Sequence, residues 1–437
     1  MRSIVEYALK YAQERGATEV HVSFSRSRGY KVEVVSDAIS NVSYIQSARL
    51  SVIAIVGKKL GAASTNSLDE REVKKCVERA VDLAKATTEN PRWSGLPEPR
   101  EYPVVEGTYD KRIAELEPEE AVELLKTSLD EVKETSRKVV VMQGLLSASK
   151  GEVILANSRG VWGEDRGTSV SAYLVTVAKE SGVVGSFASE DAVSRSLDVD
   201  FRELGRRAAE KALESLHLKP VESFKGSLIL DYEVAAFLFL NLARAYSGDS
   251  VWRGSSPLRN RLGEQIAVEA ITVVDNGVLP RGISTSKFDA EGSPRQKTLV
   301  IEKGVLKTFI NNSFTANILG MEPTGNASSL LDVAPSNTVI EGGDYTIEEI
   351  IRETKKGLFL SRFSGKMSSI DGIVSGSAKQ AFLVENGEKK YPVRECMVVG
   401  NLYEFLKNIS AVSKERKFKW TALTPVIKIE NVNIVTK

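Results

Sequence analysis

The stretch Val20-His21-Val22-Ser23-Phe24 alternates apolar and polar residues, and the same pattern recurs at residues 30–35, 39–44 and 50–56. Short polar or glycine-containing segments separate these runs. A period of two is typical of a strand with one buried face, and short breaks between such strands predict an antiparallel meander. The N-terminal part of the chain is therefore predicted to be built around a sheet.

Helical patterns lie on both sides of this sheet. Ile4, Tyr7, Ala8 and Tyr11 recur at helical spacing, and Gly16 follows as a stop. Ser67 and Glu70 have the spacing of a capping box, which predicts a second helix whose apolar face carries Val73, Cys76, Val77, Ala80, Val81 and Ala84. On such a face Cys76 is interpreted as a small core residue and not as a reactive thiol.

Proline content divides the chain. Four of its 13 prolines fall between residues 90 and 104, where they interrupt regular structure. We predict an N-terminal α+β domain at 1–89, a proline-rich linker at 90–113, a middle α+β domain at 114–220 and a large β-rich C-terminal domain at 224–437. In the last of these, Asn386-Gly387 between two apolar runs predicts a tight hairpin. The predicted fold class is α+β, rich in antiparallel sheet.

Composition excludes several classes of protein. The 437 residues carry 59 Lys and Arg against 58 Asp and Glu, so no net charge attracts the molecule to nucleic acid or to an anionic membrane. One run, residues 414–420, has the basic and aromatic composition of a nucleic-acid contact, with a solvated loop as the alternative interpretation. No apolar stretch approaches the roughly 20 residues that span a bilayer. The N-terminus has no signal-peptide pattern, so we expect a cytoplasmic protein.

Histidine and cysteine are too few for the usual catalytic sets. The chain has two of each, His21, His217, Cys76 and Cys396, and no HExxH motif. His217 lies at the predicted end of a helix, where an imidazolium is favoured by the helix dipole. Carboxylates cluster at Asp289-x-Glu291 and Glu341-x-x-Asp344, where the alternatives are ordinary turn residues or a Mg²⁺ or Ca²⁺ site.

An ordered set of short motifs carries a family resemblance. In the C-terminal part they are VWRGSSPL (251–258), LGEQI (262–266), FDAEG (288–292), PTGNA (323–327), PSN (335–337), FLVENG (382–387) and GNL (400–402). Earlier in the chain they are GATEV (16–20), SRSRG (25–29), AVDLA (80–84) and ANSRGV (156–161). Together they resemble the TldD/PmbA family, specifically its TldE (PmbA) branch, over essentially the whole chain.

The resemblance implies a cytosolic proteolytic system. TldD-type subunits carry HExxxH on a helix and a later cysteine, which hold a catalytic metal, whereas TldE-type subunits pair with them and lack the metal site. The pair trims unfolded peptides through a narrow chamber. An older label of the same family, modulator of DNA gyrase, is retained as one alternative.

The motif positions can be assigned in this chain. If Glu233 takes the place of the motif glutamate, the two histidine positions hold Tyr232 and Phe237, and residues 418–425 contain no cysteine. A phenol is a poor zinc ligand at neutral pH and a phenyl ring is none. We therefore expect no catalytic residue and no metal or other cofactor in this chain, and a zinc-type metal in a TldD partner. An acid in the first helical turn is also favoured by the dipole, which explains Glu233 without chemistry.

The leading hypothesis is thus a non-catalytic subunit of a TldD/TldE metallopeptidase complex. Its expected partners are a TldD-type subunit and unfolded peptides, with no membrane, with nucleic acid disfavoured, and with a homodimer as the alternative assembly for the isolated chain. The predicted wall of the peptide cleft consists of Arg253, Ser255, Ser256, Gly325 and Asn326. The competing hypotheses are a stand-alone peptidase with a carboxylate-based site and a gyrase-linked modulator.

Overall fold

Two large sheets with helices packed against them make up the computed structural model, which describes residues 1–436. This confirms the predicted α+β class with mainly antiparallel sheets. The helices are α1 (Arg2–Glu14), α2 (Glu70–Ala86), α3 (Lys111–Ala114), α4 (Pro118–Thr135), α5 (Phe201–Glu214), α6 (Tyr232–Leu242), α7 (Gly248–Trp252), α8 (Ser313–Leu319), α9 (Ile347–Arg352) and α10 (Leu402–Lys407), with a 3₁₀ turn at Ser215–His217.

The strands alternate with these helices along the chain. They are β1 (Glu19–Val35), β2 (Ala38–Val56), β3 (Lys59–Thr65), β4 (Val139–Asn157), β5 (Trp162–Glu180), β6 (Val183–Val184), β7 (Ala188–Ser194), β8 (Phe224–Leu230), β9 (Val273–Asn276), β10 (Lys297–Glu302), β11 (Val305–Leu306), β12 (Thr338–Ile340), β13 (Lys356–Met367), β14 (Ile373–Glu385), β15 (Glu388–Pro392), β16 (Cys396–Asn401), β17 (Ile409–Lys419) and β18 (Ala422–Val435).

The N-terminal sheet is more continuous than the sequence predicts. Four short strands were expected between residues 20 and 56, but they form two long ones, β1 with 17 residues and β2 with 19. The polar segments between the apolar runs continue the pairing of β1 with β2, because their side chains are exposed or half-buried and need no apolar partner. Gly29 in the middle of β1 is required there, since a Cβ atom would lie 2.0 Å from the Ala148 carbonyl oxygen on β4.

The first and middle segments share this sheet. Its strand order is β3-β2-β1-β4-β5-β6, with β7 also paired to β5, and β1 pairs with β4 over its length, for example Val22 with Ala156. Helices α1 and α2 cover one end of the sheet, and α4 and α5 cover the other. The cap of α2 differs from expectation, because the side chain of Asp69, not Ser67, accepts from the Arg71 amide. The division at 90–113 stays a prediction.

The C-terminal sheet has the order β11-β10-β9-β12-β18-β16-β14-β13-β8, with β15 and β17 added at its sides. It is mainly antiparallel, but β12 runs parallel to β18 and β13 parallel to β8. The predicted hairpin is confirmed, since β14 and β15 are joined by Asn386 and Gly387 with φ of 50° and 82°. The apolar helix α6 packs against β13 and β18. No helix within residues 1–436 combines the length and the apolar character that a membrane crossing requires.

Candidate functional site

A cavity of about 360 Å³ lies between the middle segment and the C-terminal sheet. Its walls come from β7, one side of α5, the first turn of α6, Ser361 of β13 and the end of β17. The charged side chains that line it are Glu190, Asp191, Asp198, Asp200, Glu203, Arg207, Lys211, Asp231, Glu233, Lys417 and Lys419. The cavity therefore contains two of the three motif positions assigned from the sequence, Tyr232 and Glu233.

Two hydrogen bonds to the backbone of Tyr232 hold the first turn of α6 in place. Asp231 caps the helix, and its Oδ1 accepts a hydrogen bond of 2.8 Å from the Tyr232 amide. The Tyr232 carbonyl accepts a second bond, of 2.9 Å, from Oγ1 of Thr424 on β18. The helix start is thereby anchored to the strand that follows β17.

Tyr232 is a buried, neutral phenol. Its side chain is 8% exposed, and burial raises its pKa to about 12, with Asp231 adding to the effect. The ammonium group of Lys417 lies 5.2 Å from the ring centroid, a cation–π distance. A protonated phenol beneath a cation is not a ligand for a second cation.

Phe237 is not among the residues that line the cavity. Its ring lies 6.1 Å from the ring of Phe363 on β13, and it packs against the main C-terminal core. Of the two positions that would hold a motif histidine, Phe237 has no donor atom and Tyr232 offers only a buried neutral phenol, so the residues present do not fit the metal that the resemblance implies for TldD-type subunits.

An ion-pair network fills the inner part of the cavity. The ammonium of Lys211 lies 2.5 Å from Glu190, and that of Lys419 lies 3.4 Å from Glu190 and 3.1 Å from Asp191. Burial alone would raise the pKa of Glu190, but Lys211 and Lys419 hold it below its usual value. Burial would likewise lower the pKa of Lys419, but Glu190 and Asp191 raise it by more. Both partners therefore remain charged, and the network neutralises itself.

Glu233 stands apart from that network. Burial raises the pKa of its carboxyl, although Lys211 and Lys419 oppose the change. Within residues 1–436 no group donates a hydrogen bond to its carboxylate, and no cation lies within ion-pair distance. It is a half-buried acid in the first turn of a helix, open to the cavity.

Of the two lysines of this network, Lys211 lies in a helix that the sequence did not single out as a site, and Lys419 lies in the basic run at 414–420. The composition of the basic run at 414–420 is compatible with a nucleic-acid contact or a solvated loop, but most of the run belongs to strand β17. Lys419 at its end is only 12% exposed, because it turns inward to Glu190 and Asp191 on β7. The lysine spacing of two, Lys417 and Lys419, is compatible with one strand face, but the partners lie more than 200 residues away in sequence.

The five predicted peptide-wall residues lie outside this cavity. Arg253 forms an ion pair of 2.9 Å with Asp332, and both side chains are about half exposed. Oγ of Ser255 donates to the Ser250 carbonyl at 3.1 Å. These two side chains remain near the surface. The ion pair of Arg253 with Asp332 connects their loop to the segment that follows Asn326.

The other three wall residues are committed to internal contacts. Ser256 is 7% exposed and its hydroxyl donates to the Ala245 carbonyl, while Asn326 is 1% exposed and donates to Oδ1 of Asp275 at 2.7 Å. The Gly325 carbonyl accepts from Arg295 at 2.7 Å. A direct contact with peptide is thus open to Arg253 and Ser255, and the wall as a whole stays a prediction.

The acidic turn is also internal. Asp289 and Glu291 are 3% and 1% exposed, and their oxygens accept bonds from the Ala327 and Ser313 amides and from neighbouring groups. Burial, with Glu291 adding to it, raises the pKa of Asp289 to about 7. Within residues 1–436 no group of three or more His, Cys, Asp or Glu side chains is arranged to hold a metal ion.

Known proteins resemble this chain over nearly its full length. Residues 20–84, 111–216 and 223–436 match domain 1, the central domain and the C-terminal domain of the PmbA/TldA metallopeptidases. Metalloprotease PmbA of Escherichia coli O157:H7 is 27% identical over 95% of this chain and 92% of its own.

Solved structures agree with the sequence matches. The crystal structure of TldE from Thermococcus kodakarensis superposes with a TM-score of 0.92 at 30% identity and covers 99% of this chain and 100% of its own. A candidate modulator of a DNA gyrase from Thermotoga maritima superposes with a TM-score of 0.91 at 25% identity over 99% of this chain and 100% of its own.

Proposed function

Because the chain belongs to the PmbA/TldD metallopeptidase family, in its TldE (PmbA) branch, we propose that it is the non-catalytic subunit of a cytoplasmic TldD/TldE-type complex. The complex would degrade or trim unfolded peptides, with the catalytic metal supplied by a TldD-type partner. In this proposal the present chain completes the chamber and holds peptide for the partner's site.

The observation that carries the proposal is the chemistry at the first turn of α6. In the assignment made from the sequence, Tyr232 and Phe237 take the two imidazole positions of the TldD-type motif, and the nearby cations are Lys211 and Lys419, held by Glu190 and Asp191. A catalytic zinc site takes three protein ligands and keeps a fourth position for water. Here a neutral phenol and a phenyl ring take the two imidazole positions and the nearby cations are lysines, so the chain's own residues favour a supporting role.

Within such a complex the charged cavity has a structural task. The Lys419 pairs join β17 to β7 and thereby hold the middle segment against the C-terminal sheet. Among residues 1–436, Glu233 is the one acid that lines the cavity without a partner, and no set of side chains is arranged there to hold a metal ion and its water. Its position in the first turn of a helix accounts for it without a proton-transfer role.

Reconstitution tests the proposal. The purified chain is mixed with a TldD-type subunit from the same cells, and the mixture is analysed by size-exclusion chromatography and by hydrolysis of an unstructured peptide. We expect co-elution, chelator-sensitive hydrolysis by the mixture, and none by this chain alone. Elemental analysis should find less than stoichiometric zinc or iron in the isolated chain.

Either of two results would contradict the proposal and support a competing function. Chelator-insensitive turnover by the lone chain, lost in Glu233→Gln, would establish a stand-alone carboxylate peptidase. Salt-dependent binding of duplex DNA without any binding of a TldD-type chain would favour a gyrase-linked role, with the slope of affinity against salt giving the number of phosphate contacts.

A further inference from the structure

A second cavity, of about 350 Å³, lies between the N-terminal sheet and the loop that joins β9 to β10. The sheet contributes residues of β1, β2, β4 and β5, and Arg195, Thr285 and Ser286 complete the lining. Among residues 1–436, none lines both this cavity and the one at the first turn of α6. The second cavity is therefore separate from the site described above.

A row of small residues crosses the sheet in this cavity. Ser47 on β2 pairs with Ser27 on β1, and Ser27 pairs with Gly151 on β4. Gly151 in turn pairs with Gly167 on β5. Residues directly opposite each other share one face of a sheet, so the four positions form a trough with no side chain larger than serine. The trough is about 14 Å long, because neighbouring strands lie about 4.8 Å apart.

Arg195 lies at the β5 end of this trough. A Cβ atom on Gly167 would lie 2.6 Å from Nη1 of Arg195, so glycine is required to leave room for the guanidinium in this position. The hydroxyl of Thr168 donates to the Arg195 carbonyl at 2.8 Å and holds its backbone beside β5. The sheet thus fixes the place of the guanidinium.

The guanidinium of Arg195 has no anionic partner within residues 1–436. Its three hydrogen bonds go to the backbone carbonyls of Gly282, Thr168 and Thr285, at 3.3, 3.3 and 3.0 Å. An arginine side chain has five N–H donors, so two of them remain available.

Positive charge prevails in the cavity. Three arginines line it, Arg26, Arg166 and Arg195, against two acids, Glu152 and Asp165. Arg26 pairs with Glu152 at 2.8 Å. Burial lowers the pKa of Arg195, and the charge of Asp165 opposes this shift without cancelling it. An anion beside Arg195 would offset the cost of burying its charge.

We infer that this cavity binds a carboxylate group of an extended peptide, with the guanidinium of Arg195 as the anchor and the trough as the surface on which the adjoining chain lies. A planar carboxylate matches two N–H donors of one guanidinium. The hydroxyls of Ser27 and Ser47 can donate to the peptide backbone and accept from it. The peptide as ligand rests on the proposed function, whereas the preference for an anion rests on the cavity alone.

Binding of three peptides to the full-length isolated protein tests the inference by fluorescence anisotropy. They carry a neutral N-terminal fluorophore and one unstructured sequence without Asp or Glu, ending in a free carboxylate or in an amide, and the third is the amide with one internal Glu added. We expect the free acid to bind at least about tenfold more tightly than the plain amide. Affinity recovered by the internal Glu would show that acidic side chains also supply the carboxylate, and no recovery would restrict it to chain ends.

Two variants locate the binding. Arg195→Gln should abolish the preference for the free acid. Gly151→Leu leaves Arg195 in place and should weaken binding of the free acid at least about tenfold, because a Cβ there meets only the Arg26 carbonyl oxygen, at 3.7 Å, and the leucine fills the trough. Ser147→Leu, on the same face of β4 but outside the cavity, is the matched control and should bind as the wild type does. Circular dichroism should confirm that all variants fold.

No binding of the free acid, equal binding of the free acid and the plain amide, or a preference that survives both Arg195→Gln and Gly151→Leu would overturn the inference. Reconstitution judges the proposed function separately. Hydrolysis by the complex without a carboxylate preference in this chain would reject the inference alone. A carboxylate preference without any TldD-type complex would reject the proposed function alone.

Discussion

The ammonium nitrogen of Lys419 lies 3.1 Å from a carboxylate oxygen of Asp191, although 228 positions separate the two residues in the chain. The same ammonium lies 3.4 Å from Glu190, whose other oxygen faces Lys211. One lysine of the C-terminal sheet thus joins two acids of the middle segment, in the same cavity as Tyr232 and Glu233 of the first turn of α6.

Replacing this lysine should destabilise the protein. Lys419→Met leaves Asp191 without its cation and Glu190 with one instead of two, and loss of one partner of a buried pair costs about 3 kcal/mol in the free energy of unfolding. Urea unfolding measures the loss. Lys414→Met on the exposed part of the same strand is the control and should change stability by less than about 0.5 kcal/mol. Equal effects of the two variants would show that the Lys419 pairs contribute nothing beyond ordinary surface interactions.

Restoring the two imidazoles should not restore a metal site. In the double variant Tyr232→His with Phe237→His, two ligands are present, no cysteine lies at 418–425, and Phe237 loses its packing against Phe363. We expect weak zinc binding, no peptide hydrolysis, and a loss of about 2 kcal/mol because Phe237 is only partly buried. Equilibrium dialysis with zinc, a peptide assay and thermal unfolding check the three parts. Robust hydrolysis by this variant alone would contradict the account of a dedicated partner subunit.

Arg253 is one of the two predicted peptide contacts, with Ser255, that the structure leaves accessible. Arg253→Ala should reduce the activity of the reconstituted complex while lowering stability by at most about 0.5 kcal/mol, because its ion pair with Asp332 is half exposed. Asp332→Ala removes the same ion pair but keeps the guanidinium, so it should retain activity. If both variants lose activity equally, the ion pair orders the loop and Arg253 does not contact peptide.

His21 should make stability depend on pH. Burial lowers its pKa to about 4, although a hydrogen bond with the Ala290 carbonyl opposes this, and its Nε2 has no partner within residues 1–436. The folded pKa lies below the unfolded value of about 6.5, so the contribution to stability is complete above pH 6.5 and is lost as the pH falls toward 4.

Comparison with a variant separates the contribution of His21 to pH-dependent stability from that of other titrating groups such as Asp289. His21→Asn keeps a donor for Ala290 and does not titrate. Its unfolding free energy relative to wild type should rise by about 2 kcal/mol between pH 7.5 and pH 5. His217→Asn is the control, because that side chain is 77% exposed. A pH-independent difference for His21→Asn would show that the imidazole is hydrated in the folded protein.

Substitutions of Asp231 and Glu233, the two acids at the start of α6, should differ in their effects on stability. Asp231→Ala removes the cap of the helix and should cost about 1 kcal/mol. Glu233→Gln removes a half-buried charge without a partner, and should leave stability within about 0.5 kcal/mol of wild type or increase it. It should also leave the activity of the reconstituted complex unchanged. A loss of activity in Glu233→Gln with normal assembly would assign this carboxylate a role in the reaction.

Local chemistry determined much of this protein from the sequence alone. Alternation of apolar and polar residues indicated the strands, Asn386-Gly387 indicated a hairpin, and Tyr232 and Phe237 showed that imidazole side chains are absent from the assigned motif positions. Each of these depends on residues close together in the chain, because strand periodicity, turn conformation, helix capping and ligand chemistry are short-range properties.

The tertiary structure determines the features that short-range patterns do not predict. It joined β1 to β4 in one sheet across the proline-rich segment, turned Lys419 inward to Asp191, and buried Ser256 and Asn326, two residues that the sequence had suggested as a peptide wall. These outcomes depend on which segments pack together, and that is set by the burial of apolar faces over the whole fold. A lysine in a basic run has the same local pattern whether it faces water or two carboxylates, so its role follows from the contacts that the fold creates.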